Sequence, residues 1–379
     1  MRSLRVGTVN YSCQSGLGLL TKAFWDHGIV NQMFIVEHSR HPTEWQWYPQ
    51  TTPHCSARNI DERSLRRFVE GLDVLLCFET PFCWPIVNYA KSRGVKTVCM
   101  PMYECSLQNP PAVFDEYWCP SLRDFDVFSD IKWGGDPYPP FVPVSGSYEH
   151  SVVRFTPVPV EVEWRQRTEA RVFVHNAGHG GLKGRNGTRE LFEALMHVES
   201  PVEMIIRSQG RLGEFDAEMQ RLTQRTMVGG ACVALNYNTC SADQLYSKGD
   251  VFVFPEKFNG LSLPLQEARA AGMLVMATDR YPMNTWLPTS VEYQDREESF
   301  VPLTANPLIP TVTAVKNRIG PPYMEFDEAV IDPRAIAAKI DEWYGYDISA
   351  YSLQGKEWAE SMSWEKLGPK YSDLLKGLK

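Results

Sequence analysis

The fold class the chain predicts is α/β, in two doubly wound halves with a terminal helix, and three observations predict it. Along most of the 379 residues, short apolar runs alternate with amphipathic stretches of helical period, the pattern of strand–helix units around parallel sheets. The series occurs twice, each time with a glycine-bearing turn after its opening strand, at Gly16-x-Gly18 and at Gly178 to Gly187. Between the two lies Gly134 to Pro159, rich in Pro and Gly and ending in Pro157-Val158-Pro159, which has the composition of a linker. The expected domains are therefore 1–158 and 159–345, with 346–379 as a terminal helix.

In the first half, Leu4 to Asn10 reads as a strand that runs through Ser12 to Gly18 into a helix ending near His27. Met33 to Glu37, Asp73 to Phe78, Lys96 to Met100 and Tyr117 to Cys119 are the strands that follow, with helical spacing at Glu62 to Glu70 and Pro85 to Lys91. The second half opens with Arg171 to Asn176 as a strand and Thr188 to His197 as a helix. Val202 to Arg207, Val233 to Asn236, Val251 to Phe254 and Leu274 to Ala277 read as strands, and Glu214 to Thr226 and Asp243 to Lys248 as helices. Helices are expected over Pro333 to Tyr344 and Ser349 to Leu378; Leu303 to Phe326 is rich in Pro, has no period and predicts no element.

A hydrophobic content of 43% with 12% aromatic residues is that of a folded globular chain long enough for two cores. The net charge of −8 argues against a protein that coats nucleic acid. Nine cysteines, an odd number without CxxC or His-rich spacing, predict neither a disulfide framework nor a metal site. Cys77, Cys83, Cys99 and Cys119 stand in or beside apolar runs and are expected in the core. His38, His41 and His54 are expected in exposed loops. Trp45, Trp47 and Tyr48 cluster in one loop, either as a hydrophobic satellite, the preferred reading, or as an aromatic platform. No run of about 18 apolar residues occurs, and Met1 to Arg5 leads straight into a strand, so neither a membrane span nor a signal segment is expected and the location expected is cytoplasmic.

The most informative stretch is Asp250 to Gly272. Val251 to Phe254 is a buried strand closed by Pro255, a turn carries Asn259 and Gly260, and Leu263-Pro264 opens a helix that presents Glu267. Proline suits a first helical turn, where no N–H is needed. Loop and helix start gather N–H groups able to hold an anion or sugar hydroxyls. The run Asn259-Gly260-Leu261-Ser262-Leu263-Pro264-Leu265-Gln266-Glu267 resembles the donor-site signature Glu-Gly-Phe-Gly-Leu-Pro-x-x-Glu of the family-4 retaining glycosyltransferases. Gly260, Leu263, Pro264 and Glu267 match, whereas Asn259 stands where that family has its first Glu. The resemblance implies a GT-B fold, two Rossmann-like domains facing across a cleft, with the last helix crossing back to the first. It is strong over about 171–290, moderate at the tail, where Ser363-Trp364-Glu365 opens a helix, and architectural over 1–160. It further implies that Glu267 holds the ribose of a nucleotide and that the loop from Asn259 to Leu263 holds the donor sugar.

A second candidate is the turn Gly178-His179 to Asn186-Gly187, whose glycines allow close backbone approach while Lys183 and Arg185 supply positive charge. A departing diphosphate requires that charge. The resemblance places an Arg and a Lys in this loop, although its spacing is not reproduced. Arg207, Tyr237 and Asn238 end neighbouring strands, where ligands of open α/β sheets bind, and each is read either as phosphate or base contact or as structural. Gly16 and Gly18 are expected to approach the donor phosphates. Glu79 and Glu104 close successive strands and are read either as carboxylates facing an acceptor hydroxyl or as buried loop caps.

The resemblance thus implies an enzyme that transfers a sugar from a nucleoside diphosphate donor to an acceptor hydroxyl with retention, the partners being a nucleotide sugar and a glycan or small molecule, with no further cofactor. Two alternatives stand beside it. One is a virus-type enzyme acting on hydroxymethylated bases in DNA, with Arg63, Arg66 and Arg67 as phosphate contacts. The other is a GT-B protein that binds without transferring, for which Asn259 and the absence of a His beside Glu104 would be the marks.

Overall fold

The computed structural model describes residues 4–108, 110–133, 151–178, 184–212, 217–287, 306–320 and 323–378. The chain divides into two units: Met1–Pro159 with Arg318–Glu325 and Trp364–Lys379, and Val160–Asn317 with Phe326–Ser363.

The first unit is built on β1 (Val6–Tyr11), β2 (Gln32–Glu37), β3 (His54–Ser56), β4 (Val74–Phe78), β5 (Lys96–Met100), β6 (Glu116–Cys119) and β7 (Val152–Phe155), with helices α1 (Gly16–Asp26), α2 (Glu62–Glu70), α3 (Pro85–Ser92) and α4 (Leu122–Trp133). The order β3-β2-β1-β4-β5-β6-β7 is parallel throughout. Winding reverses between β1 and β4, which leaves a crevice at their carboxyl ends. Val74 to Phe78 is buried residue by residue, as a parallel strand covered on both faces must be. The helix predicted over Glu62–Glu70 has those bounds, started by Asp61, whose side chain accepts from the amides of Arg63 and Ser64. β3, α4 and β7 are not among the predicted elements. In particular, Val152–Phe155 is an edge strand paired with β6 rather than linker; it is short and largely exposed.

The second unit carries β8 (Val172–Gly178), β9 (Glu203–Ser208), β10 (Met227–Val228), β11 (Ala231–Tyr237), β12 (Val251–Phe254), β13 (Leu274–Thr278) and β14 (Leu308–Ile309) in the order β10-β11-β9-β8-β12-β13-β14. All neighbours are parallel except β10 with β11. Its reversal point lies between β8 and β12. The helices are α5 (Thr188–Leu195), α6 (Ala217–Leu222), α7 (Ala242–Leu245), α8 (Leu263–Ala270), α9 (Pro333–Trp343) and α10 (Ser349–Ser361). Alternate sheet residues, among them Phe173, Met204, Ile206, Val251, Val253 and Met276, share one core with Leu191, Leu195, Ile336 and Ile340 of α5 and α9. A separate ribbon, β15 (Thr311–Asn317) with β16 (Phe326–Ile331), occupies part of the stretch for which no element is predicted. Every residue of β15 is exposed, so no alternation of burial marks it as a strand.

The expected terminal helix is two, α10 and α11 (Trp364–Gly377), separated at Met362–Ser363. α11 belongs to the first unit and buries Trp364, Leu367, Tyr371 and Leu375, spaced three and four apart on one face. Phe24 of α1 meets Trp364 at 5.1 Å and Tyr371 at 5.0 Å, ring centre to ring centre, both edge-on. The Tyr371 hydroxyl donates toward the carbonyls of Thr156 and Pro157.

Cys77, Cys99 and Cys119 are buried and Cys83 is half-buried. Tyr48 packs with Met33 and Ile35, and Trp25 and Trp47 lie against them, while Trp45 stays exposed at the edge of His54. The loop aromatics thus form the satellite rather than a platform. Among the described residues no helix is long and apolar enough to cross a membrane.

Candidate active site

At the β8–β12 reversal the chain brings together the loops that follow the two strands. β12 ends at Phe254, and Pro255 and Glu256 follow, the latter only 3% exposed. A carboxylate so buried needs partners. Glu256 Oε1 accepts from Arg185 Nε at 2.9 Å, and Oε2 accepts from Asn259 Nδ2 at 2.8 Å. Arg185 also donates to the Phe258 carbonyl at 3.2 Å, and its guanidinium lies over the Phe258 ring at 5.1 Å. Asn259 turns its carbonyl the other way, accepting from the amides of Leu261 at 3.1 Å and Ser262 at 2.8 Å. The sequence signals Arg185 and Asn259 but not Glu256, a single Glu after a strand-ending Pro whose partners come from elsewhere in the chain.

The start of α5 is fixed against the same point. Gly187 takes φ +65° and lies so close to β12 that a Cβ would sit 2.0 Å from the Pro255 carbonyl oxygen, so glycine is required there. His175 of β8, fully buried, pins the arrangement: Nδ1 donates to the Val253 carbonyl at 2.9 Å, leaving Nε2 to accept from Thr188 Oγ1 at 2.8 Å. Burial pushes its pKa down to about 4, against the weaker effect of the Val253 bond, so the ring is neutral at pH 7. His175 is absent from the sequence reading because its partners are distant in the chain. His179 and Lys183, which that reading includes, lie outside the described residues.

α8 is preceded by Ser262, a non-glycine residue at φ +55° in the left-handed region. Its hydroxyl is buried without a hydrogen-bond partner among the described residues. Gln266 donates to the Leu261 carbonyl at 2.6 Å and holds the loop from behind. One turn into the helix stands Glu267, partly exposed. Its Oε2 accepts from the Tyr246 hydroxyl at 2.9 Å. Burial raises the Glu267 carboxyl to about 7, the Tyr246 bond opposing that and Asp243 adding to it. Lys257 is committed elsewhere, to Glu190 at 2.5 Å.

Arg207 and Tyr237 end β9 and β11 and line an open cleft with Glu203, Asn236, Asn238 and Lys248. Tyr237 is about half exposed there. In the first unit the β1–β4 crevice is aromatic: Tyr11 meets His38 at 4.5 Å and Phe82 at 4.8 Å, both edge-on. Burial, then the nearby Glu79 charge, raises the Tyr11 phenol. Glu79 follows β4 at φ +59° and stays half-buried. Of the two readings of Glu104 the buried one fits its position: the short turn Tyr103–Cys105 folds it inward, where it is fully buried near Asp124. Gly16 and Gly18 lie within the first turn of α1, capped by Ser15, rather than in a loop before it. A Cβ on Gly18 would meet the Cys13 carbonyl at 2.1 Å, whereas Gly16 faces open space. Arg66 pairs with Glu62 and lies over the Tyr89 ring at 4.7 Å. Among the described residues no cluster of His, Cys, Asp or Glu has the arrangement of a metal site.

No protein-family profile matches the chain, and no curated protein matches it. Solved structures do, over the whole length. Anabaena HepE, solved in complex with UDP and glucose, aligns with a TM-score of 0.61 at 10% identity, covering 99% of this chain and 100% of that one. Sucrose-phosphate synthase from Thermosynechococcus elongatus aligns with a TM-score of 0.57 at 12% identity, covering 99% of each chain. A glycosyltransferase from Rickettsia africae aligns with a TM-score of 0.56 at 12% identity, covering 100% of this chain and 99% of that one. The fold is therefore GT-B, the fold of glycosyltransferases.

Proposed function

We propose that the protein is a retaining glycosyltransferase that moves a sugar from a nucleoside diphosphate donor to the hydroxyl of a glycan or small-molecule acceptor. The observation that carries the reading is Glu267. It stands one turn into α8, beside the reversal point of a doubly wound sheet, with one carboxylate oxygen bonded to Tyr246 and the side chain partly exposed. Ligands of open α/β sheets collect at such points, and a carboxylate there accepts hydrogen bonds from paired ribose hydroxyls. The likeness in fold to HepE, solved with UDP and glucose, favours uridine diphosphate as the donor's nucleotide.

In this reading Arg185 faces the diphosphate, with Lys183, His179 and Arg207 assigned to the same charge, which grows as the bond to the sugar breaks. Tyr237 takes the base. Asn259, Gly260, Leu261, Ser262 and Leu263 form the sugar-side loop. Its shape is set by Asn259, which already bonds the Leu261 and Ser262 amides. In the first unit, Glu79 is the carboxylate that accepts the acceptor's proton, Gly16 and Gly18 serve the phosphate side, and Glu104 braces the frame from its buried position. Retention follows if acceptor attack and donor departure take place on one face of the sugar.

The test is Glu267→Ala, with UDP binding measured by calorimetry and turnover of UDP-glucose followed by UDP release. Loss of hydrogen bonds to a charged group costs about 1.5–3 kcal/mol, so UDP affinity should fall roughly 10- to 100-fold and turnover should vanish. Unchanged affinity and turnover would sink the assignment. UDP binding by the wild type with no release of UDP from any donor would point to a binding protein instead.

A further inference from the structure

Glu267 is held by a side chain that no part of the donor signature contains. Tyr246 follows α7 in the crossing from β11 to β12 and is 1% exposed. Its hydroxyl donates to Glu267 Oε2 at 2.9 Å and lies 3.2 Å from the carbonyl oxygen of Pro264 in the first turn of α8. Its ring meets Phe252 of β12 edge-on at 5.7 Å. Its backbone is fixed as well: Arg167, itself buried, donates Nη2 to the Tyr246 carbonyl at 2.9 Å and Nε to the Gly249 carbonyl at 2.7 Å. Tyr246 is therefore anchored by its backbone, ring and hydroxyl, and the hydroxyl is spent on one carboxylate oxygen. Among the described residues Glu267 Oε1 takes no hydrogen bond.

We infer that Tyr246 is a positioning residue for the donor: by clamping one oxygen of Glu267 it fixes the carboxylate rotamer and leaves the other oxygen for the hydroxyl pair of the nucleotide ribose. The inference rests on the donor-site reading above and adds to it the residue that sets the carboxylate's geometry and charge. A phenol hydrogen bond stabilises the ionised carboxylate over the neutral acid. Burial works against ionisation, and so does Asp243, the other acidic group facing Glu267 from the α7 side. The cations nearby point elsewhere: Arg167 bonds backbone carbonyls, and Arg269 of α8 lies over Trp358 of α10 at 4.5 Å and donates to the Trp286 carbonyl. The Tyr246 hydroxyl is thus the neutral donor that favours the ionised form of Glu267 against burial and Asp243. Ribose binding requires that ionised form as acceptor, so nucleotide affinity should rise with pH through about 7.

The experiment titrates UDP into the full chain at pH values from 5.5 to 9, using wild type, Tyr246→Phe, Asp243→Asn and Glu267→Ala. Tyr246→Phe keeps the ring against Phe252 and removes only the hydroxyl. It should weaken UDP binding about 5- to 10-fold at pH 7 and move the midpoint of the pH profile upward, with much of the affinity recovered at pH 9. Asp243→Asn should move the same midpoint downward. A structural role alone would lower thermal stability without moving either midpoint. If Glu267→Ala weakens UDP binding roughly 10- to 100-fold while Tyr246→Phe leaves affinity and midpoint unchanged, the positioning role is overturned and the donor-site reading stands. If Glu267→Ala binds UDP as the wild type does, it is the donor-site reading that fails.

Discussion

At the β1–β4 crevice of the first unit the side chains are Tyr11, His38, Phe82 and Glu79, whereas at the β8–β12 crevice of the second they are Arg185, Glu256 and Asn259. Both sheets wind in the same way, and each has one non-glycine residue forced into the left-handed region beside its crevice, Glu79 at φ +59° and Ser262 at φ +55°. Strain of this kind collects at functional sites. One crevice thus carries aromatic faces and a half-exposed carboxylate. The other carries a buried, internally neutralised charge network, which keeps a cation in place whether or not an anion is bound. Topology supplies the location, and the loop residues supply the chemistry.

The largest test of that contrast removes one charge from each crevice. Arg185→Ala leaves Glu256 buried without its cation, and removal of one partner from a buried pair costs about 3–5 kcal/mol. Urea unfolding should show a loss near the lower end of that range, since Asn259 still bonds the carboxylate. Glu79→Gln, at a half-buried position, should change stability by less than about 0.5 kcal/mol. Equal losses would mean that the second crevice is no more internally paired than the first.

Acid should separate the two units in opposite directions. An unfolded imidazole takes up a proton near about 6.5, while His175 resists until about 4. Between those values the unfolded chain binds the extra proton, so the second unit loses stability as pH falls, by about 3 kcal/mol at pH 4. In the first unit, burial and then repulsion from Glu104 raise the Asp124 carboxyl to about 8. Here the folded state holds the proton, so the stabilisation is complete below about 3.9 and declines as pH rises through about 8. Hydrogen exchange followed peptide by peptide from pH 7 to 4.5 should show opening of β8 and α5 but tightening around Tyr103–Asp124. Parallel behaviour of both regions would refute this, and a His175→Gln chain should lose the acid sensitivity of the second unit.

The smallest effect comes from relieving strain. A non-glycine residue in the left-handed region costs about 1–2 kcal/mol, part of which glycine returns as entropy of the unfolded chain. Ser262→Gly also removes a buried hydroxyl without a partner, so it should stabilise by about 1 kcal/mol, while Glu79→Gly should come out near zero. Thermal melts of the two variants make the comparison, and destabilisation by Ser262→Gly would show that the hydroxyl has a partner in solution.

The sequence made much of this legible where local chemistry and position agree. Helical spacing over Glu62 to Glu70 marks α2 to the residue, and the run from Val251 through Pro264 to Glu267 marks strand, turn and helix in order. What it hides is long-range. Nothing near His175 announces Thr188 or the Val253 carbonyl, and nothing near Glu256 announces Arg185, 71 residues earlier. Glu79 looks like a strand-end carboxylate, and its backbone strain is invisible in the residue type. Glu104 looks the same and is buried, because the turn after Met102 decides which way it faces. β15 escapes because both its faces are exposed.

α11 has a consequence for the order in which the chain is made. Phe24 lies about 340 positions ahead of the Trp364 and Tyr371 rings that enclose it. During vectorial synthesis the ribosome delivers the first sheet early, yet its apolar face at Phe24 and Trp118 stays uncovered until the last helix emerges. The second unit, whose strands and helices α5 to α10 are complete by Ser363, has all of its residues available first. The half of the molecule that is translated first is therefore the half that closes last.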